Sequence, residues 1–304
     1  MWDELILLGT INLLLVQKKE IFVAAYDCNW LKHFLAQFVD IKNITFLPEI
    51  PKWLRSLIKL FKSWEYKLIS KYFEIDSVIV GGWEILTEEN PNSYRYWLIS
   101  LLPCLIKKIN KSVNIYLMWW IQIPDKIINK RLFNFLLKQT KHIFVRDFEG
   151  EKDIKDYWFW RVSFFMDTSY FAYPWKATEI KNNTVIVNIN KNGEHFFDQI
   201  VVDIRQTISD WLKVLYVPVS KWHKSEYDDL KYFHQLQQIF WKEIEILDWE
   251  KDFRLFAKNL SESSLVISTR LHLFLISSFV WCTTKVYPYQ KKILKMQNVI
   301  GKIL

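Results

Sequence analysis

The chain alternates between two kinds of hydrophobic pattern. Short apolar runs rich in β-branched residues are followed by longer segments in which apolar residues recur every three or four positions. This alternation is typical of βα units arranged around a parallel sheet. The short runs predict strands at residues 21–25, 77–80, 113–118, 142–145, 184–189, 214–217, 243–247 and 265–268. The periodic segments predict helices at residues 31–38, 52–71, 93–109, 126–139, 196–212, 225–240, 253–260 and 271–280.

A polar segment at residues 175–183, with Pro174 at its edge, divides this pattern into two halves. A chain of 304 residues is long enough for two domains, each with its own core. We therefore predict an α/β protein of two Rossmann-like lobes, residues 1–174 and 184–304, whose parallel sheets face each other across a cleft in a GT-B-like arrangement. Such a lobe normally opens with a strand, whereas this chain begins with a helix-like segment, so the first strand is expected upstream of Met1.

Composition narrows the class of protein without choosing a function. Hydrophobic residues make up 51% of the chain and charged residues 24%, as in folded proteins. The net charge of +8 is spread along the chain and attracts anions in general, including phosphorylated metabolites, anionic glycans, nucleic acid and membrane surfaces. Three cysteines without disulfide or zinc spacing indicate a reducing compartment, so we expect a soluble cytoplasmic protein.

No transmembrane segment is predicted. The apolar run at residues 5–16 follows Asp3 and Glu4, where a signal peptide would carry Lys or Arg, and is interpreted as a buried helix. The apolar run at residues 97–106 is too short to span a bilayer. Peripheral contact with a membrane is left open.

Tryptophan and glycine have unusual frequencies. The chain contains 16 Trp and only 6 Gly in 304 residues, so glycine is about 2% where an average chain has roughly 7%. Several Trp stand where turns and helix ends favour glycine: Trp83, Trp119, Trp120, Trp175, Trp222 and Trp241. One hypothesis is that the gene comes from a lineage that reads UGA as glycine, and that UGA has been translated as tryptophan. The alternative is an aromatic-rich protein. The first hypothesis predicts UGA codons at Trp2, Trp83, Trp119, Trp120, Trp241 and Trp281.

The most informative stretch is Ser268-Thr269-Arg270-Leu271-His272, which follows a predicted buried strand and opens an apolar helix. Arg270 and His272 therefore lie at the carboxyl end of a parallel strand, where α/β enzymes hold their ligands. Arginine offers a planar fork of donors to phosphate or carboxylate, and histidine can transfer a proton near neutral pH. Taken alone, an arginine and a histidine at a strand end more often have a structural role.

Other motifs give this stretch a context. The helix after it leads to Tyr289 and Lys292 in a Y-x-x-K arrangement. Near the middle of the first half, a strand ends in a turn at Gly81-Gly82, followed by Trp83. Three further short motifs are Val145-Arg146-Asp147 before a helix, Met166-Asp167 at a strand end and Trp2-Asp3-Glu4 at the start. Together these motifs resemble the polysaccharide pyruvyl transferase family over nearly the whole chain, with Trp2 and Trp83 in place of two glycines of the family pattern.

The resemblance implies transfer of a pyruvyl group from phosphoenolpyruvate, the donor substrate, to sugar hydroxyls of a cell-envelope glycan or a lipid-linked sugar acceptor. It implies no cofactor. His272 is the candidate catalytic acid, because the methylene carbon of the donor must be protonated. Arg270, Arg146 and Lys292 are candidates for binding the donor anion. The other candidate substrate-binding residues are Tyr289, Asp3, Asp147, Gly81 and Gly82.

Other functions remain open. A GT-B-type glycosyltransferase that uses a nucleotide sugar would share the lobes and the cleft, with Arg270 on the diphosphate. A non-catalytic relative or a basic nucleic-acid-binding protein is a further alternative, although the Lys residues are dispersed and no nucleic-acid recognition motif is present, so nucleic acid is not expected as a partner. The turn at Gly81-Gly82 lacks the pattern of a P-loop or dinucleotide fingerprint, which disfavours nucleotide hydrolysis.

The remaining polar residues are assigned structural roles. No metal site is predicted, because His195, His223 and His234 lack ligand spacing to a carboxylate or cysteine. His33 and His142 are interpreted as core or surface residues. The pair Asp228-Asp229 is interpreted as a solvated helix start rather than part of a site, since acidic residues favour that position.

Overall fold

The computed structural model describes residues 2–17, 19–25, 28–48, 70–71, 74–81, 86, 88, 101–118, 121–179, 181–221 and 226–303. The chain divides into two compact units, Asp3–Ala172 and Tyr173–Leu304. Each unit is an α/β structure with parallel strands. The α/β class with parallel sheets, predicted from the alternating pattern, is thereby confirmed.

The first unit begins with an apolar helix and carries two groups of strands. Its elements are α1 (Trp2–Leu15), β1 (Ile21–Ala25), α2 (Cys28–Leu35), β2 (Ile44–Pro48), β3 (Ser77–Val80), α3 (Leu102–Ile109), β4 (Asn114–Met118), α4 (Ile127–Gln139), β5 (Thr140–Val145), α5 (Phe148–Asp156) and β6 (Val162–Phe164). Strands β1 and β2 pair in parallel, and β3, β4, β5 and β6 form a four-stranded parallel sheet in chain order. In α1, Leu5 and Leu8 are fully buried, which confirms the interpretation of the first apolar run as a buried helix.

The second unit is a five-stranded parallel sheet flanked by helices. Its elements are β7 (Thr184–Asn188), α6 (Phe197–Ser209), β8 (Lys213–Tyr216), α7 (Leu230–Phe240), β9 (Ile244–Ile246), α8 (Phe253–Glu262), β10 (Leu265–Ser268), α9 (Leu271–Phe279), β11 (Thr284–Val286) and α10 (Lys291–Ile303). The strand order is β11-β10-β7-β8-β9. The order reverses between β7 and β10, and such a topological switch point is where open α/β sheets bind ligands, outside the carboxyl ends of the strands.

The central strand of this sheet is enclosed on both faces. All five residues of β7 are buried, and Val185 and Val187 pack in one cluster with Ile200 of α6, Tyr216 of β8 and Ile267 of β10. Continuous apolar runs of this kind are expected where helices cover both faces of a parallel sheet. The buried sheet makes a rigid platform for the loops at its carboxyl end.

All eight predicted strands are present, with bounds that differ by at most two residues. The strands β2, β6 and β11 were not assigned from the hydrophobic pattern, because β6 and β11 have only three residues each and so show little periodicity. The predicted helix at 52–71 and most of the first half of the predicted helix at 93–109 lie outside the described residues. None of the helices in the described ranges is long and apolar enough to cross a membrane.

Candidate functional site

Arg270 lies at the switch point of the second sheet. Strand β10 ends at Ser268, and the hydroxyl of Ser268 accepts a hydrogen bond of 2.9 Å from the Arg270 backbone N–H. Arg270 then occupies the N-cap position of α9 with an extended backbone, φ −91° and ψ 123°. Because β10 pairs directly with β7, the Arg270 side chain emerges where ligands are expected for this strand order.

Asp229, in the N-cap position of α7, holds the guanidinium of Arg270. Arg270 Nη2 donates to Asp229 Oδ1 at 2.6 Å, and Arg270 Nε donates to Asp229 Oδ2 at 3.3 Å. The Asp229 side chain is completely buried, whereas 21% of the Arg270 side chain is exposed. Among the described residues, Arg270 Nη1 has no hydrogen-bond partner, so part of the cation remains available to an anion.

The Asp229 carboxylate is itself anchored by the ends of neighbouring strands. Its Oδ2 accepts from Asn188 Nδ2 at 3.2 Å and from the backbone N–H groups of Val219 and Ser220 at 3.1 Å each. Burial raises the pKa of Asp229, while the Arg270 guanidinium and these donors oppose that rise. Burial also raises the pKa of the Tyr216 phenol well above its usual value, and its hydroxyl lies 2.8 Å from the Asp229 carbonyl oxygen.

The sequence-based interpretation of Asp228-Asp229 as a solvated helix start was wrong for Asp229. Asp228 is only half-buried, and its Oδ1 accepts from the Leu230 N–H at 3.0 Å, as a residue at a helix start does. Asp229 instead points into the protein and pairs with Arg270, 41 residues further along the chain. In the sequence, the signal that Asp229 could belong to a site was its position directly after the loop that follows β8. Asp228 shares that position, so the sequence could not show which of the two carboxylates is buried.

A second polar cluster joins the loops after β7, β10 and β11. The Asn190 backbone N–H donates to Thr269 Oγ1 at 2.9 Å, and Asn190 Nδ2 donates to the Tyr289 hydroxyl at 3.2 Å. The Gly193 N–H donates to Asn190 Oδ1 at 2.9 Å. A Cβ atom on Gly193 would come within 2.5 Å of the Thr269 side chain, so the close approach of these loops requires glycine. Tyr289, predicted as a substrate-binding residue, is thus brought to the same edge of the sheet as Arg270.

His272 is the second residue of α9 and lies two residues after Arg270. Its side chain is largely buried, with 8% of the residue exposed. A buried imidazole at the start of this helix is shielded from bulk water at the carboxyl end of β10. Arg270, His272 and Tyr289 therefore all belong to the Tyr173–Leu304 unit and all follow strands of its sheet.

Arg146 and Asp147 belong to the other unit, at the end of β5. Arg146 is 1% exposed, and its Nη1 donates to Asp167 Oδ2 at 3.2 Å, so the guanidinium is committed to a buried ion pair. Asp147 caps α5, because its Oδ1 accepts from the Gly150 N–H at 2.6 Å. Arg146 was predicted to bind an anion and Asp147 to bind substrate. In the structure, Arg146 forms an ion pair with Asp167, and Asp147 caps a helix.

The remaining predicted site residues are Gly81, Gly82, Asp3 and Lys292. Gly81 follows β3 and is exposed, and Gly82 lies outside the described residues. Asp3 is the second residue of α1 and Lys292 the second residue of α10, and the structure describes their helices but not their side chains. No cluster of three or more His, Cys, Asp or Glu side chains suited to a metal ion occurs within the described ranges. His142, assigned a structural role, is half-buried, with its Nε2 atom 2.9 Å from the hydroxyl of Ser163.

The parallel sheets define the fold class, a GT-B-like α/β protein. Three solved structures share the fold. Anabaena Alr3699/HepE in complex with UDP-glucose is similar with a TM-score of 0.58 and 11% identity, covering 93% of this chain and 76% of that chain. A putative UDP-N-acetylglucosamine 2-epimerase from Listeria monocytogenes has a TM-score of 0.57 and 10% identity, covering 100% and 84%. The UDP-GlcNAc 2-epimerase from Methanocaldococcus jannaschii has a TM-score of 0.56 and 10% identity, covering 96% and 88%.

Sequence comparison defines the family. The family model for polysaccharide pyruvyl transferase matches residues 3–278, nearly the whole chain. The chain therefore belongs to the polysaccharide pyruvyl transferase family and is a transferase, as the R-L-H and Y-x-x-K motifs had predicted. No curated protein sequence matches the chain significantly.

Proposed function

We propose that the protein transfers a pyruvyl group from phosphoenolpyruvate to two hydroxyl groups of a sugar, forming a ketal on a cell-envelope glycan or its lipid-linked precursor. Family membership supports the reaction class. The observation that carries the choice of donor is Arg270, a partly exposed guanidinium at the topological switch point of the sheet.

Phosphoenolpyruvate carries a phosphate and a carboxylate, both of which accept charge-assisted hydrogen bonds from arginine. Asp229 uses the Nε and Nη2 donors of Arg270 and leaves Nη1 without a partner among the described residues. One anionic oxygen of the donor would bind there. The formal charge of +8 also raises the local concentration of anions around the protein.

The chemistry needs an acid at the donor. As a sugar hydroxyl attacks C2 of phosphoenolpyruvate, its oxygen loses a proton, while the methylene carbon takes up a proton from the acid and becomes a methyl group. The proton lost by the hydroxyl restores the acid. The second sugar hydroxyl then displaces phosphate from the same carbon, and its proton leaves with the phosphate or through a base. We assign the first proton transfer to His272, because histidine titrates near neutral pH and the residue is shielded from water near Arg270 in the chain.

The reaction balances in protons and phosphate without a cofactor, so none is included in the proposal. The acceptor is a sugar with two neighbouring hydroxyl groups that can close a ketal ring. We place the reaction in the cytoplasm, where phosphoenolpyruvate is produced, and three free cysteines suit that reducing compartment.

Ligand titration tests the choice of donor. Phosphoenolpyruvate at about 100 times its Kd should stabilise the protein by about 2.7 kcal/mol in a thermal-shift assay, whereas UDP-glucose should have no comparable effect. UDP-glucose is the appropriate competitor because the Anabaena structure carries it on the same fold. Stabilisation by UDP-glucose, with none by phosphoenolpyruvate, would favour a nucleotide-sugar glycosyltransferase instead.

A further inference from the structure

Asp229 is the buried partner of the proposed donor-binding arginine. We propose that Asp229 is a positioning residue, which holds the Arg270 guanidinium in the orientation that binds the donor anion. The inference rests on the proposed function in taking the ligand to be an anion that binds Arg270. It adds a residue that none of the sequence motifs includes.

The geometry supports positioning because the pair is held at two points. Arg270 Nη2 and Nε both donate to Asp229, at 2.6 Å and 3.3 Å. A guanidinium fixed by two bonds is restricted in rotation about its long side chain, so less conformational entropy is lost when an anion binds. The ammonium of a lysine, bound to Asp229 by its single nitrogen, would not be restricted in this way.

The Asp229 carboxylate is itself held by the ends of two strands. Asn188 is the last residue of β7, Val219 and Ser220 follow β8, and all three donate to the same carboxylate oxygen, Oδ2. Arg270 follows β10. The carboxylate therefore links the carboxyl ends of β7 and β8 to Arg270 after β10, and it fixes the guanidinium relative to the sheet.

The variant Asp229→Asn separates positioning from folding. The amide oxygen can take the place of Oδ2 and keep the bonds to Asn188, Val219 and Ser220. The amide nitrogen then occupies the place of Oδ1, where it meets the Arg270 Nη2 donor and cannot accept its hydrogen bond. We expect a stable protein whose Kd for phosphoenolpyruvate is raised at least about tenfold, the lower end for loss of a charge-assisted contact.

Two further variants make the test specific. Asp203→Asn is the matched control, because Asp203 accepts from Lys285 at 2.7 Å in the same unit but has no contact with Arg270. It should leave donor affinity unchanged. In an Arg270→Ala background, Asp229→Asn should cause no further loss of affinity, because Asp229 acts through Arg270.

The titration uses both phosphoenolpyruvate and UDP-glucose. If the wild type binds UDP-glucose alone, the proposed function fails, and the same variants measured with UDP-glucose still test positioning. Unchanged affinity in a well-folded Asp229→Asn protein, or additive losses in the double variant, would overturn the positioning role. Failure of the wild type to bind either ligand would overturn both proposals.

A separate observation concerns tryptophan at left-handed backbone positions. Among the described residues, the non-glycine residues with positive φ are Trp158 (70°), Trp211 (60°), Trp241 (53°) and Trp281 (55°). Residues other than glycine rarely adopt such angles, and asparagine and aspartate are the usual exceptions. None of Gly9, Gly150, Gly193 and Gly301 has a positive φ. We infer that these four Trp positions are glycine in the natural protein, encoded by UGA.

Three of the four Trp residues complete Schellman motifs, in which glycine usually follows the helix C-cap. After α5, Trp158 N–H donates to Lys155 O and Phe159 N–H donates to Ile154 O. The same two bonds occur after α6, around Trp211, and after α9, around Trp281. The fourth, Trp241, follows α7 with φ 53° and ψ −120°, a combination that suits glycine alone.

The four side chains contribute little packing that glycine would lose. Trp158, Trp211, Trp241 and Trp281 are between 70% and 91% exposed. Trp249 is different: it is 2% exposed, and its Nε1 donates to the Pro218 carbonyl at 2.9 Å. We therefore expect Trp249 to be a true tryptophan encoded by UGG.

The structure also refines the earlier turn assignments. Trp175 has no positive φ and packs against the rings of Tyr173 and Phe253, so its assignment as a glycine-like turn position is not supported. Trp2 begins α1. Trp83, Trp119, Trp120 and Trp222 lie outside the described residues.

Codon reading and stability test this inference together. The gene should carry UGA at the codons for Trp158, Trp211, Trp241 and Trp281, and UGG at Trp249. Each Trp→Gly change at the first four positions should raise Tm by about 2–4 °C, since the left-handed conformation costs other residues more. Trp249→Gly is the control and should lower Tm. UGG at the four codons, or lower Tm in all four glycine variants, would overturn the inference.

Discussion

Arg270 and His272 are separated by one residue but have different surroundings. The Arg270 guanidinium is partly exposed and paired with Asp229, whereas the His272 side chain is largely buried in the first turn of α9. A partly exposed cation suits binding of the donor before and during the reaction. A shielded imidazole suits proton transfer in a site from which bulk water is excluded.

Replacement of His272 should therefore affect turnover, whereas replacement of Arg270 should affect donor binding. His272→Ala should lower turnover by about 10² to 10⁴-fold and leave the Kd for phosphoenolpyruvate nearly unchanged. Arg270→Ala should weaken donor binding by roughly 1.5 to 3 kcal/mol, and Arg270→Lys should rescue it only in part, because an ammonium lacks the planar fork. Donor titration and single-turnover kinetics on each variant measure both quantities.

Arg254→Ala is the matched control, because Arg254 is an exposed arginine of α8 in the same unit. It should change neither donor affinity nor turnover. If His272→Ala and Arg270→Ala both lower Tm and lose activity in proportion, the two side chains only stabilise the turn after β10. A well-folded His272→Ala protein with undiminished turnover would remove His272 from the mechanism.

At the scale of the element, α5 shows how a motif residue can serve the helix it precedes. Asp147 lies in extended conformation, φ −140° and ψ 151°, and accepts from the Gly150 N–H. Two further carboxylates, Glu149 and Glu151, stand in the first turn, where the helix dipole favours negative charge. The V-R-D motif thus marks a helix start that the local sequence is sufficient to build.

Replacement of Asp147 tests whether capping is its whole role. Asp147→Ala should lower the free energy of unfolding by about 1 kcal/mol, while Asp147→Asn keeps the cap and costs much less. Asp156→Ala, at the other end of α5, should be neutral or slightly stabilising because a carboxylate opposes the dipole there. Chemical denaturation measures all three. Loss of turnover in a stable Asp147→Asn protein would instead show that the charge acts on the substrate.

The elements themselves were largely predictable, because their signals are local. The strand run at residues 265–268 was placed with the observed bounds, since a buried parallel strand is a continuous apolar run. The run at residues 77–80 was also placed with the observed bounds, although two of its four residues are exposed. Strand β11 was not predicted, because a strand of three residues shows little periodicity. The left-handed helix ends at Trp158 and Trp211 were not predicted, because tryptophan, unlike glycine, is not a typical C′ residue.

At the scale of the whole molecule, the chain forms two units, and the predicted site residues divide between them. Arg146 and Asp147 belong to Asp3–Ala172, and Arg270, His272 and Tyr289 belong to Tyr173–Leu304. Within the second unit, the strand order brings β10 beside β7, although their paired last residues, Asn188 and Ser268, are 80 positions apart in the chain. Hydrophobic periodicity contains no information about which parallel strands become neighbours.

The sequence by itself determined the α/β class, most strand and helix positions, the family, and the location of Arg270 at a strand end. Each of these depends on residues close together in the chain. Tertiary structure alone decided that Asp229 is buried against Arg270 and that Arg146 is committed to Asp167. Whether a charged side chain is solvated or buried with a partner depends on elements distant in sequence that fold against it, and the free energy of burying a charge is set by that partner.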